Sequence, residues 1–178
     1  MSSSPPIAPL RRLVSRLERA GVTCALGGSG LLFALGFDVH VGDWDLTTDD
    51  PLERVRQAIG RAPYQVVGPG GIHADHKIQL RDGEIEIIVG FSMHAPHGTV
   101  RLPTLVTGQW NGIPIGSPET WAVAYRLLER HEKSDALFDY LASHGADPEA
   151  RRRLLAEPLP RDLSVRLAAL KRRRPSAI

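Results

Sequence analysis

Residues 26–46 read LGGSGLLFALGFDVHVGDWDL, and the closing Asp43-Trp44-Asp45 constrains the fold more than any other part of the chain. On a strand, side chains at i and i+2 leave the same face, so Asp43 and Asp45 would aim two carboxylates at one spot while Trp44 turns into the core. Carboxylates held that close repel each other unless a cation lies between them. The hard, oxygen-seeking cation that commonly partners carboxylates and phosphates is Mg²⁺. Upstream, Gly27-Gly28-Ser29 can offer backbone N–H groups and a hydroxyl to a phosphate. Together the two elements read as a metal-nucleotide site.

The rest of the pattern is that of an α/β protein. Residues 9–20 place Leu10, Leu13, Val14 and Leu17 at helical spacing, and Gly21 ends the run. A short buried strand is expected over 22–26, a helix over 29–35, and then the strand bearing Asp43 and Asp45. Asp50-Pro51-Leu52-Glu53 carries the signals of a helix start, with Asp50 as the cap. Strands follow over 64–67, 76–80 and 84–89, the last two joined across Arg81-Asp82-Gly83, with Glu84 and Glu86 on one face. Short extended pieces cover 100–102, 105–110 and 113–115, with Asn111-Gly112 as a hairpin turn. Helices are predicted from Ser117-Pro118-Glu119, over 134–143, from Asp147-Pro148-Glu149, and over 163–170. The expected architecture is α/β (α+β): a mixed sheet flanked by helices over 1–116, then a helical region over 117–178.

At 178 residues the chain can bury a real core, and 42% hydrophobic residues punctuated by 17 Gly and 14 Pro suit a soluble protein with many turns. No apolar run reaches the ~18 residues of a membrane span, and MSSSPP lacks the order of a signal peptide. Cys24, alone in the apolar VTCAL, reads as a core residue in a chain suited to the reducing cytoplasm. Charge is uneven: residues 151–178 hold nine Arg or Lys against Glu157 and Asp162, and residues 1–150 hold thirteen against eighteen acids. Such a segment can meet nucleic acid, yet it has no aromatic residues for stacking. A solvated arginine-rich helix and tail is the plainer reading.

The order Gly28-Ser29, then Asp43-Trp44-Asp45, then an acid on a later strand resembles the nucleotidyltransferase superfamily related to DNA polymerase β, in particular its small bacterial members. Residues 22–91 carry the resemblance, and the stretch 118–141 carries it more loosely. It implies that Asp43, Asp45 and Glu86 form the catalytic, metal-binding acid set, with Glu86 also serving as general base. It implies Mg²⁺ or Mn²⁺ as cofactor. Gly27, Gly28, Ser29 and, in the run ERHEKSDALFDYL, Lys133 would bind the triphosphate of an NTP, expected to be ATP. The implied reaction moves a nucleoside monophosphate to an acceptor hydroxyl. That acceptor is a small molecule, as in enzymes that modify aminoglycoside or lincosamide antibiotics, or a macromolecule.

The chain departs from the family at two points. Val39-His40-Val41-Gly42 stands where many relatives carry Arg or Ser/Thr, and the third acid is Glu where Asp is frequent. A catalytically silent protein using the same fold for nucleotide or protein binding is the alternative. His73-x-x-His76 and His94-x-x-His97 have the spacing of a zinc pair but no cysteine partners. Lys77, one of three lysines, sits on the strand paired with that of Glu86 and is a further candidate to face the site.

Overall fold

The computed structural model describes residues 4–172 as a mixed α/β protein. Helix α1 (Ile7–Arg19) buries Leu10, Leu13, Val14 and Leu17 and turns its arginines outward. Strand β1 (Ala25–Leu26) is shorter than the apolar run 22–26 suggests, because Thr23 bonds elsewhere. Its N–H donates to Asp50 Oδ2 at 2.9 Å, and its carbonyl accepts from Thr48 Oγ1 at 2.7 Å. Then come α2 (Gly28–Ala34), β2 (Trp44–Thr48), α3 (Leu52–Ile59), β3 (Tyr64–Val67), β4 (His76–Leu80) and β5 (Ile85–Val89). A small hairpin, β6 (Ser92–Ala95) and β7 (Gly98–Arg101), precedes β8 (Gly108–Trp110) and β9 (Ile113–Ile115). Helices α4 (Pro118–Leu127), α5 (His131–His144), α6 (Pro148–Leu155) and α7 (Arg161–Ala168) follow.

Seven strands make one mixed sheet in the order β3-β4-β5-β2-β1-β9-β8, and β6 and β7 pair separately. At its centre β2 and β5 run parallel with Asp45 beside Glu86, and β4 runs antiparallel to β5 with Gln79 opposite Glu86. Ile78, Ile85, Ile87 and Leu46 pack with α1 and α3 around Leu10, Leu17, Val55 and Ile59. Glu86, at the alternate position, leaves the other face. A second core gathers Trp121 and Tyr125 of α4 with Phe138, Leu154 and Leu167 of the later helices.

Several elements differ from expectation. Asp43 lies one residue before β2 and is exposed, so only Asp45 of the pair is on the strand. β5 starts at Ile85, which leaves Glu84 in the turn, accepting from Arg81 Nε at 2.8 Å rather than sharing a strand face with Glu86. Asp50 does not cap α3: its carboxylate is taken by Thr23 N–H and by Arg54 at 3.0 Å. The β6–β7 hairpin adds a strand over 92–95 that the sequence expectation lacks, because four residues, only one of them large and apolar, give too short a pattern. Helix α5 begins at His131, three residues earlier than expected, which draws Lys133 into its first turn. Elsewhere the local signals hold. Asn111 and Gly112 take φ of 51° and 76° in the β8–β9 turn, Ser117 caps α4 at Thr120 N–H, and Asp147 caps α6 at Ala150 N–H.

Candidate active site

The turn between β1 and α2 is pressed onto the acid strand. Gly27 N–H donates to the Asp45 carbonyl at 2.8 Å. A Cβ on Gly28 would stand 1.8 Å from Asp45 Oδ2, and one on Gly27 would stand 2.0 Å from the Trp121 ring. Gly28 also has φ of +54°, so glycine is required there by space and by conformation. Trp44 turns into the core, 2% exposed, beside Trp110.

Asp45 is half-buried, and its carboxyl is pushed up to about 7, by burial first and then by the charges of Asp43 and Glu86. Lys77 and Arg130 pull it back in part. Glu86 is held by both oxygens. Oε1 lies 3.0 Å from Lys77 Nζ, and Oε2 accepts from Gln79 Nε2 at 3.1 Å. On the other side, Lys133 Nζ donates to Ser29 Oγ at 2.9 Å, which joins positions 104 residues apart. Burial and the charge of Arg130 push the Lys133 ammonium down, while Asp45 and Asp43 hold it up. Asp45 is therefore felt by Asp43, Glu86, Lys77, Lys133 and Arg130 together.

Among the described residues, no three His, Cys, Asp or Glu side chains are gathered closely enough to hold a metal ion by themselves. The donor set still fits a hard cation. Asp43 and Asp45 are two oxygen donors whose repulsion a cation would relieve, and Mg²⁺ commonly takes one or two carboxylates plus water and phosphate oxygens. The histidine pairs form no such site. His73 Nδ1 lies 3.5 Å from buried Asp75, His94 meets Thr99, and His76 and His97 are exposed. Cys24 is buried, and its thiol is pushed up to about 12 by burial and by Glu18 and Asp50, as suits an inert core residue.

Three neighbours of the site escaped the sequence reading. Gln79 could have been found by counting the hairpin back from Ile85, which pairs with Leu80. Arg130 precedes α5 with no motif around it, and Tyr125 lies in an apolar helix as any core tyrosine would. A cavity of about 1030 Å³ lies between α1 and the edge formed by β3 and β4, lined by Arg12, Arg16, Tyr64 and Arg81 among others. None of Asp43, Asp45, Glu86, Ser29 or Lys133 lines it. Among the described residues no helix is long and apolar enough to cross a membrane.

No protein-family model and no curated protein matches the sequence. Solved structures do match the fold. A provisionally assigned nucleotidyltransferase of Thermotoga maritima is 22% identical, with a TM-score of 0.54 over 77% of this chain and 92% of that one. ANT(2″)-Ia in complex with adenylyl-2″-tobramycin is 13% identical, with a TM-score of 0.56 over 92% of this chain and 95% of that one. With β2 and β5 parallel at the centre of a mixed sheet and Asp45 registered against Glu86, the chain has a nucleotidyltransferase-like fold.

Proposed function

We propose that this protein is a divalent-metal-dependent nucleotidyltransferase that moves a nucleoside monophosphate from an NTP, expected to be ATP, to a hydroxyl of a small-molecule acceptor. The observation that carries the reading is the Lys133–Ser29 contact beside Asp45, which sets a cation and a hydroxyl next to an acid pair. The adenylylated aminoglycoside in the ANT(2″)-Ia structure supports a small acceptor.

In this reading Asp43 and Asp45 hold the ion, and Lys133, Arg130 and Ser29 bind the phosphate chain. The ion, when bound, neutralises phosphate charge and lowers the pKa of the attacking hydroxyl. The acceptor oxygen bonds to the α-phosphorus, the bond to the bridging oxygen of the β-phosphate breaks, and pyrophosphate leaves. Glu86 takes the hydroxyl proton. Its carboxylate has about four lone-pair sites, so the bonds to Lys77 and Gln79 leave it able to accept.

The test is incubation with each α-labelled NTP, Mg²⁺ or Mn²⁺, and panels of aminoglycosides, lincosamides and tRNA. One NTP should release pyrophosphate and label a small molecule, and Asp43→Asn or Asp45→Asn should abolish both. Labelled tRNA would move the acceptor to the macromolecular class. Failure of every NTP to react or to stabilise the protein with Mg²⁺ would leave a silent scaffold.

A further inference from the structure

Tyr125 is 0% exposed in α4, and its hydroxyl has no hydrogen-bond partner among the described residues. Its ring packs against Trp121 with centroids 5.6 Å apart, and Lys133 Nζ stands 5.4 Å from its centroid. The phenol proton is held more tightly than usual, first by burial and then by Asp45, while Arg130 and Ser29 act in the opposite sense. The Lys133 ammonium links Ser29, whose Oγ accepts from it at 2.9 Å, to the Tyr125 ring, and the Tyr125 hydroxyl itself makes no hydrogen bond with either.

An unpaired buried donor destabilises the free protein. A position needed only for packing would be better filled by Phe, which has the same ring and no polar atom. A donor retained at such a place has its partner in another state of the site, and the site offers one. Lys133 is the group that a triphosphate would attract, and its departure frees the Ser29 hydroxyl, now oriented by the ammonium, to turn an acceptor lone pair toward Tyr125.

We propose that Tyr125 is a positioning residue of the phosphate site: once a triphosphate draws Lys133 away, the Tyr125 O–H donates to Ser29 Oγ, and the Ser29 O–H is thereby aimed at the phosphate. Serine has one proton to give and two lone pairs to receive, so it can stand in the middle of this chain of donors. The inference rests on the nucleotidyl reading above.

Titration calorimetry of the full chain with Mg²⁺ and either inorganic tripolyphosphate or ATP tests it, on wild type, Tyr125→Phe, Ser29→Ala and the double variant. Tyr125→Phe should weaken both ligands about 5–10-fold and leave the ligand-free melting temperature equal or higher. In the Ser29→Ala background the same change should alter affinity by less than about twofold, because the partner is already gone. Unchanged affinity of Tyr125→Phe, or losses that multiply in the double variant, would overturn the role of Tyr125. If Ser29→Ala still weakens binding, the nucleotidyl reading stands in either case. A lower melting temperature of ligand-free Tyr125→Phe would also overturn it, since the hydroxyl would then have a partner already. Failure of wild type to bind either ligand would overturn both readings.

Discussion

Lys77 Nζ lies 3.0 Å from Glu86 Oε1 across the β4–β5 pair, two residues along from the register that sets Gln79 opposite Glu86. The two side chains are only 21% and 13% exposed. In such a place the attraction of the pair is set against the cost of removing both charges from water. Taking away one partner leaves the other buried and uncompensated. Here the carboxylate left behind would also face Asp45, whose pKa Glu86 already raises.

Lys77→Met should therefore lower the unfolding free energy of the metal-free protein by about 1–3 kcal/mol, and adding Glu86→Gln should recover more than half of the loss. Urea denaturation in EDTA measures this. Losses that simply add would show that the two charges are independent.

Asp45 makes stability depend on pH. Its folded-state pKa of about 7 lies above the ordinary 3.8, so the folded protein keeps the proton that the unfolded chain releases first. Its stabilising contribution is full below about pH 4 and is lost as pH rises through 7. Metal-free wild type should lose about 1–3 kcal/mol relative to Asp45→Asn between pH 5 and pH 8. Mg²⁺ should restore the difference at pH 8. Parallel melting curves for the two proteins across this range would remove Asp45 from the account.

Gly28→Ala should displace the Asp45 carboxylate, because its Cβ would fall 1.8 Å from Oδ2 and because φ of +54° strains any L-residue. A destabilisation above about 1 kcal/mol is expected. Mg²⁺-dependent stabilisation by nucleotide should vanish even below the melting temperature. A Gly28→Ala protein that still binds nucleotide at wild-type affinity would place the phosphate site elsewhere.

Truncation after Ala156 removes more than basic charge. Leu159, Leu163, Leu167 and Leu170 are all buried, each contributing roughly 1.5–3 kcal/mol. The truncated chain should lose cooperative unfolding by calorimetry. Salt-sensitive RNA binding by the full chain would show instead that the segment is also a nucleic-acid surface.

Truncation bears on what the sequence made legible. The basic C-terminal segment was expected to be a solvated helix and tail, but its leucines make α7 a wall of the second core, and residues 173–178 lie outside the described structure. The helix itself was visible in the spacing of those leucines. That it packs against α4 and α6 depends on where distant elements lie, which periodicity does not encode.

The same division runs through the candidate site. The sequence by itself determined the turn at Gly27-Gly28, the inward Trp44, and the caps at Ser117 and Asp147. Each follows from forces acting within a few residues: alternation on a strand, φ of a turn, a side chain meeting a nearby N–H. Only the tertiary structure decided that Asp45 pairs in register with Glu86, that Lys77 and Gln79 hold that glutamate, and that Lys133 bonds Ser29 while standing by the Tyr125 ring. Strand register and helix docking bring residues up to 104 positions apart into contact, and they are set by the packing of whole apolar faces rather than by the polar residues that ride on them.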